Sequence, residues 1–229
     1  MPTAVVTGAS RGLGLALAQA LADRGWDLVL DARGADDLEA AASGLRSGAG
    51  RVEAVSGDVA DESHRRLLVE AAARTGRLDV LVNNASLLGP SPQPPLADYP
   101  LGVLEEVYRV NVLAPLRLVQ LAIPLMEGTG GRVLNVTSDA AVEGYEGWGG
   151  YGSSKAALEQ WSSVLAAERP AMLVYWVDPG DMNTRMQQEA FPGEDVSDRP
   201  PPEASVPGLL RLIEGDLPSG RYRAKDLEP

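Results

Sequence analysis

The stretch that decides the fold is residues 3–14, Thr-Ala-Val-Val-Thr-Gly-Ala-Ser-Arg-Gly-Leu-Gly. A short apolar run ends there in a turn with glycines at positions 8, 12 and 14, and a helical pattern follows over about residues 13–24. Such glycines allow a tight turn and a close backbone approach, and they leave free N–H groups at a helix N-terminus, where a pyrophosphate can bind. The spacing is Gly-x3-Gly-x-Gly rather than GxGxxG, so a simple turn without a ligand remains the alternative.

Beyond this turn, short β-rich runs alternate with helical patterns along the whole chain. Strands are predicted near residues 4–6, 27–30, 52–55, 78–82, 132–136 and 172–177, with a last short strand near 220–224. Helices are predicted near residues 13–24, 35–43, 62–73, 100–126 and 151–168. This alternation predicts one α/β domain over residues 1–229, a doubly wound parallel sheet with helices on both faces. Residues 182–205, rich in Pro and acidic residues towards their end, are predicted to form a lid or surface loop.

Composition excludes several kinds of function. The chain has 229 residues, a formal net charge of −12, no cysteine and a single histidine, His64. An acidic surface argues against nucleic acid and anionic membranes as partners, and the lack of cysteine excludes disulfides and thiolate chemistry. One histidine excludes a multi-histidine metal site, and we predict that His64 lies in the solvated first turn of a helix. With no signal-peptide pattern and no apolar run of transmembrane length, the expected location is the cytoplasm.

The end of the second predicted strand bears on the choice of ligand. The sequence there is Leu30-Asp31-Ala32-Arg33-Gly34. In such folds an acidic residue at this strand end favours a ribose 2′-hydroxyl, whereas an arginine accommodates a 2′-phosphate. Arg33, together with Arg11 in the glycine turn, favours NADP(H) over NAD(H), because two guanidiniums suit bidentate recognition of a phosphate. Asp31 keeps NAD(H) as the alternative.

Tyr151 and Lys155 form the clearest candidate for proton transfer. They lie four residues apart in a helical pattern, and this spacing places two side chains on one face of a helix. An ammonium beside a phenol is expected to lower the tyrosine pKa from its reference value of about 10, which would suit a general acid or base. Taken alone, a solvated pair of side chains is the alternative.

Taken together, these motifs resemble the short-chain dehydrogenase/reductase family. The glycine turn resembles its TGxxxGxG motif, Asn83-Asn84-Ala85-Ser86 resembles NNAG with Ser86 in place of the last glycine, and Ser138 precedes Tyr151 by the usual interval. The resemblance extends from about Thr7 to Thr184, implies a Rossmann-type fold, and is closest in style to the compact C-factor-like and carbonyl-reducing members.

The resemblance also implies roles for individual residues. Tyr151 would be the general acid or base, Ser138 would bond the substrate oxygen, and Lys155 would tune Tyr151 and bind the nicotinamide ribose. Asn111 would hold a water in a proton relay. The cofactor contacts implied are Thr7, Gly8, Ser10, Arg11, Gly12, Leu13, Gly14, Arg33, Asp58, Val59, Asn84, Ala85, Tyr151, Lys155, Pro179, Gly180 and Thr184.

The family implies an NADP(H)-dependent oxidoreductase that interconverts a carbonyl compound, ketone or aldehyde, and an alcohol. Two alternatives stay open: a dinucleotide-binding regulatory protein with little turnover, and a dehydratase or epimerase on the same fold. Side chains expected to form an apolar pocket wall are Tyr145, Trp148, Met182, Met186 and Phe191, with ordinary surface packing as the alternative. The family further implies a homodimer or homotetramer formed by the helices that carry Asn111 and Tyr151.

Overall fold

The sheet has seven strands, all parallel, in the order β3-β2-β1-β4-β5-β6-β7. These observations come from a computed structural model that describes residues 1–48 and 50–227. The strands are β1 (Thr3–Val6), β2 (Asp27–Ala32), β3 (Val52–Ser56), β4 (Val80–Asn83), β5 (Arg132–Val136), β6 (Leu173–Asp178) and β7 (Gly220–Arg223). The predicted doubly wound parallel sheet is confirmed, and so is the short last strand.

The helices follow the strands in the predicted alternation. They are α1 (Gly12–Ala22), α2 (Ala35–Leu45), α3 (Glu62–Ala73), α4 (Leu101–Tyr108), α5 (Ala114–Met126), α6 (Gly149–Glu168), α7 (Arg185–Ala190) and α8 (Val206–Glu214). The chain passes from β1 outwards to β3 and then returns to β4 beside β1. The strand order therefore reverses between β1 and β4, where open α/β sheets bind ligands at the carboxyl ends of their strands.

Two apolar clusters cover the two faces of the sheet, because successive strand side chains point to opposite faces. In β1, Ala4 and Val6 join one cluster, which includes buried side chains of α1, α2 and α8. Val5 joins the other, which includes buried side chains of α3, α5 and α6. The sheet is thus sandwiched between helices, and its buried strands fix the position of the loops at their carboxyl ends.

The helix predicted over residues 100–126 is interrupted by a π-helical turn at Arg109–Leu113 between α4 and α5. The backbone N–H of Ala114 donates to the carbonyl of Arg109, five residues earlier. Pro115 follows, and it has no N–H to donate to the carbonyl of Asn111 four residues earlier. The widened turn is the adjustment expected beside this proline.

The segment Leu101–Met126 is long and apolar enough, by length and composition, to cross a membrane, although no apolar run of that length was predicted. In its most apolar window 44% of the residues are buried inside the protein. Leu118, Val119, Ala122 and Met126 belong to the cluster between the sheet and α3. Core packing therefore accounts for these four apolar residues, whereas Leu101 and Leu113 of the same segment are exposed.

Candidate active site

A cavity of about 780 Å³ opens at the carboxyl ends of the strands and runs from the end of β2 to α7. Most of the predicted site residues line it, namely Gly8, Ser10, Arg11, Gly12, Leu13, Arg33, Asp58, Val59, Asn84, Ala85, Ser138, Tyr151, Lys155, Pro179, Gly180 and Thr184. Thr7, Gly14 and Asn111 lie behind its wall. The fold thus brings the predicted residues together from seven separate loops and helices. Three of them lie outside the lining and support the cavity from behind.

The glycine turn needs glycine for two different reasons. Gly8 and Gly12 have φ angles of +66° and +56°, a backbone region that side chains with a Cβ rarely adopt. A Cβ on Gly14 would overlap the carbonyl oxygen of Gly8 and come within 2.6 Å of the Asn84 amide nitrogen. The turn therefore brings the start of α1 close to the cavity, with its first N–H groups available to an anion.

Thr7 and Asn84 join the glycine turn to the loop after β4. The Thr7 hydroxyl accepts the backbone N–H groups of Asn84 and Ala85, each at 3.0 Å, and donates to the carbonyl of Val82 at 3.2 Å. The Asn84 amide donates to the carbonyls of Thr7 and Gly8 at 2.8 and 3.1 Å. These bonds fix the two loops that face each other across the point where the strand order reverses.

At the end of β2, Asp31 and Arg33, which left the choice between NAD(H) and NADP(H) open, have different surroundings. Arg33 is exposed and lines the cavity, as does Arg11, and within residues 1–48 and 50–227 neither forms an ion pair. Asp31 is only 1% exposed, and its Oδ2 accepts the backbone N–H of Gly8 at 3.3 Å. Its Oδ1 lies 2.6 Å from Nε2 of His64. Both carboxylate oxygens are therefore engaged by other groups of the protein.

The prediction that His64 is solvated was wrong. His64 lies in the first turn of α3, as expected, but it is 5% exposed. A Cβ on Gly57 would overlap the imidazole ring, so the glycine makes room for it. Burial raises the pKa of Asp31, and the hydrogen bond and charge of His64 oppose that rise. Because the residues next to His64 in the sequence are polar, they did not indicate that its side chain points inward, beneath the loop that contains Gly57.

Tyr151 and Lys155 lie side by side on α6, as predicted, and both are buried. The Lys155 ammonium donates to the carbonyl of Val136 at 2.8 Å and lies 5.5 Å from the centre of the Tyr151 ring. The helix approaches the loop after β5 closely, because a Cβ on Gly152 would come within 2.5 Å of the carbonyl oxygen of Ala140. Both functional groups reach the cavity from this one helix.

The expected lowering of the Tyr151 pKa is not what the structure gives. Burial raises the pKa of Tyr151, Ser86 opposes the rise, and the nearby carboxylates Asp178 and Asp139 add to it. Burial also lowers the pKa of Lys155 to about 7. The sequence showed the favourable ammonium but neither the desolvation nor the two carboxylates, so the net direction was predicted wrongly.

Ser138 and Asp139 follow β5, and the aspartate was not identified from the sequence. The Ser138 hydroxyl donates to Asp139 Oδ1 at 2.9 Å and accepts the backbone N–H of Ala140 at 3.2 Å. Tyr145 donates to Asp139 and Glu143, at 3.1 and 2.8 Å, instead of lining the cavity. The candidate oxygen-binding hydroxyl is thus held by an adjacent carboxylate.

Asn111 lies in the π-helical turn, 1% exposed. Its side-chain amide donates to the carbonyl of Leu87 and to Ser154 Oγ, and its Oδ1 accepts from the backbone N–H of Leu87 and from Ser86 Oγ at 3.2 Å. The side chain therefore supports the loop that carries Ser86. The backbone carbonyl of Asn111 lacks its usual helical donor, because residue 115, four positions later, is a proline without an N–H.

Comparison with known proteins decides the family. A sequence model of the short chain dehydrogenase family matches residues 2–195. The chain belongs to this family. It is therefore an NAD(P)-dependent dehydrogenase or reductase, and its Rossmann-type fold accords with that assignment.

Two curated relatives and one solved structure illustrate the kinship. The chain is 32% identical to the rhamnolipid-biosynthesis 3-oxoacyl-acyl-carrier-protein reductase of Pseudomonas aeruginosa, over 96% of this chain and 82% of the relative. It is 32% identical to the (S)-benzoin-forming benzil reductase of Saccharomyces cerevisiae, over 81% and 73%. A short chain dehydrogenase of Shigella flexneri complexed with NADP superimposes with a TM-score of 0.90 at 29% identity, covering 98% and 97% of the two chains.

In this short chain dehydrogenase the end of the cavity near Tyr151 has an apolar wall. The Trp148 ring lies edge-on to the Tyr151 ring, 5.8 Å between centres, and 5.9 Å from the Phe191 ring. Leu88 and Met186 pack in the same cluster. Of the predicted wall residues, Trp148, Met182 and Met186 line the cavity, whereas Phe191 packs on the outer side of Trp148.

Carboxylates surround this apolar wall. Asp139, Asp178, Asp181 and Glu189 line the cavity, and Arg185, which lines it too, is paired with Glu189 at 2.7 Å. The end of the cavity near Tyr151 is therefore rich in carboxylates, whereas the opposite end combines Arg11 and Arg33 with Asp31, Asp37 and Asp58.

Proposed function

We propose that this protein is an NADP(H)-dependent oxidoreductase that interconverts a ketone or aldehyde and an alcohol, with Tyr151 as the general acid or base. The observation that carries the proposal is the burial of Tyr151 and Lys155 together in the cavity that begins at the glycine turn, with Ser138 on the facing loop. The two relatives named above are called reductases of carbonyl compounds, which supports the same class of reaction.

The two arginines at the end of the cavity near the glycine turn favour NADP(H). Arg11 and Arg33 offer two guanidiniums there that pair with no carboxylate among residues 1–48 and 50–227, while Asp31, which could have bonded a 2′-hydroxyl, has both oxygens engaged elsewhere. The glycine turn would hold the pyrophosphate at the start of α1, and Lys155 would bond the nicotinamide ribose. NADP in the superimposable Shigella flexneri protein supports the same choice.

The chain's own groups would divide the proton chemistry. The bound nicotinamide supplies or accepts hydride. In reduction, Tyr151 gives its phenol proton to the carbonyl oxygen, and its raised pKa keeps it protonated at neutral pH. The Ser138 hydroxyl turns from Asp139 towards the same oxygen and stabilises its developing charge. Lys155, with a pKa near 7, can return a proton to Tyr151 at physiological pH, and the carbonyl of Asn111 can hold a water of the relay.

The substrate is proposed to be a small uncharged carbonyl compound with an apolar or aromatic body. Trp148, Leu88 and Met186 would contact that body. The carboxylates Asp139, Asp178 and Asp181 would disfavour an anionic substrate by like-charge repulsion in a partly buried site. We further propose a cytoplasmic homodimer or homotetramer.

Product analysis tests the reaction. We would incubate the protein with NADPH deuterated at the transferred position and a panel containing benzil, aliphatic ketones, aldehydes and 2-oxoacids. The expected result is an alcohol carrying one deuterium on the former carbonyl carbon, with the uncharged aryl ketones ahead of the 2-oxoacids. Tight NADPH binding with no turnover would favour a regulatory protein. Conversion of a substrate without net NADPH oxidation would favour a dehydratase or epimerase.

A further inference from the structure

The buried pair of Asp31 and His64 lies under the adenosine end of the cavity, and the proposed reaction does not use it. Asp31 lines the floor of the cavity between the glycine turn and the loop that contains Gly57. His64 approaches it from α3, with Nε2 at 2.6 Å from Oδ1. Both side chains are more than nine-tenths buried. A polar pair so deeply buried next to a ligand cavity calls for a functional reason.

The position of Asp31 is at odds with an NADP(H) site. Arg33 lies two residues further along the same strand end, where a 2′-phosphate would be bound. A carboxylate free to turn into this end would repel the phosphate and would instead accept a hydrogen bond from a ribose 2′-hydroxyl. Asp58, which also lines the cavity, already adds negative charge beside Asp31.

The protein engages both oxygens of the Asp31 carboxylate. His64 occupies Oδ1, and the backbone N–H of Gly8 occupies Oδ2 at 3.3 Å. Gly57 leaves the space that the imidazole fills, since a Cβ there would overlap the ring. The backbone of Asp31 is anchored as well, because its carbonyl accepts the N–H of Ala9 at 2.8 Å. Of these contacts, only that of His64 comes from a side chain.

We propose that His64 determines the dinucleotide specificity of this enzyme by holding the Asp31 carboxylate away from the ribose. The inference rests on the proposed use of NADP(H). Without His64 the carboxylate loses its nearest partner and can rotate towards the cavity, where it favours a 2′-hydroxyl over a 2′-phosphate. His64 is a positioning residue in this account, since it acts on the cofactor through Asp31.

Dissociation constants for NADPH and NADH, measured by fluorescence titration at one pH and ionic strength, test the proposal without any turnover. We expect His64→Leu, which keeps an apolar volume in the buried site, to lower the preference for NADPH roughly tenfold through like-charge repulsion. Asp31→Asn combined with His64→Leu removes the repelling charge, so the double variant regains most of the wild-type preference.

A conservative pair of variants covers the case in which His64→Leu does not fold. His64→Gln keeps an N–H donor within reach of Asp31 and is expected to retain the preference, whereas the shorter His64→Asn is expected to lose it. An unchanged preference in His64→Leu or His64→Asn overturns the inference, as does a double variant that stays as impaired as His64→Leu. If the wild type binds no NADPH, the proposed function falls with it; if it does, only the role of His64 is at stake.

Discussion

At the residue scale, the composition of the site follows from the sequence, but its electrostatics do not. The spacing of Tyr151 and Lys155 was enough to place both on one face of α6. It could not show that both would be buried, or that Asp139 and Asp178 would lie close enough to raise the Tyr151 pKa. Burial and charge depend on which loops meet, and the meeting of loops is a property of the fold.

Asp139→Asn tests the electrostatic part of the account. Alcohol oxidation needs the Tyr151 phenolate, so at a pH below the Tyr151 pKa the oxidation rate rises when that pKa falls. Removing the Asp139 charge is expected to lower the Tyr151 pKa and to speed oxidation at pH 8 several-fold. Ketone reduction at pH 7 uses the protonated phenol, so any gain there would reflect a freed Ser138 hydroxyl and would be smaller.

The measurement is the rate of alcohol oxidation against pH, with Asp216→Asn as the control because that side chain is fully exposed. The control is expected to leave the profile unchanged. A profile for Asp139→Asn that coincides with the wild type would show that this carboxylate does not influence Tyr151.

At the scale of elements, strands and helices were largely predictable, because apolar runs and helical periods alternate without interruption. Two features were not. The π-helical turn at Arg109–Leu113 had a signal in Pro115, which lies inside the helix predicted over residues 100–126. The orientation of α3 had none, because the polar first turn that contains His64 is compatible with either face being buried.

The last strand contributes more to the site than its sequence indicated. From β7, Arg221 donates to the carbonyl of Ser138 at 3.2 Å and to Glu159 of α6 at 3.0 Å, and it lies 3.8 Å from Asp178. Glu159 also accepts from Thr137 at 2.8 Å. One arginine therefore connects β7, the loop after β5, and the helix that carries Tyr151.

Arg221→Met is expected to lower kcat roughly tenfold with little change in KM, because the Ser138 loop and α6 lose their shared contact. Arg221→Lys keeps one charged donor and is expected to recover part of the loss. Steady-state kinetics give both constants. Arg169→Met, which breaks an exposed ion pair with Glu127 at the end of the same helix, is the control. A kcat for Arg221→Met equal to that of the control would contradict this positioning role.

At the scale of the whole molecule, the family and the parallel sheet were inferred correctly because the ordered motifs lie in the loops that such a sheet brings together. The single domain over residues 1–229 and the lid over about residues 182–205 stay predictions. Part of residues 182–205 forms α7, and Met182, Met186 and Glu189 from this segment line the cavity. The cytoplasmic location also stays a prediction.

The oligomer can be tested on an exposed apolar surface. Leu113, two residues after Asn111, is 57% exposed, and Val164 on α6 is 45% exposed. If the helices that carry Asn111 and Tyr151 form the interface, an aspartate at either exposed position would bury a charge.

Light scattering of Leu113→Asp and Val164→Asp is expected to give the monomer mass of about 24 kDa, whereas the wild type gives at least twice that value. Leu67→Asp, on the exposed face of α3, is the control and is expected to keep the wild-type mass. A wild type that is monomeric, or variants that keep its mass, would contradict the proposed interface.

The central claim is that Tyr151 transfers the proton in NADPH-dependent carbonyl reduction. The most direct measurement is the rate of reduction of an accepted ketone at saturating NADPH, compared between wild type, Tyr151→Phe and the control Tyr222→Phe, whose hydroxyl bonds Pro218. Loss of the acid is expected to lower kcat by about 10²–10⁴-fold while the dissociation constant of NADPH stays within a few-fold. A Tyr151→Phe variant that binds NADPH and reduces the ketone as fast as the wild type would contradict the account.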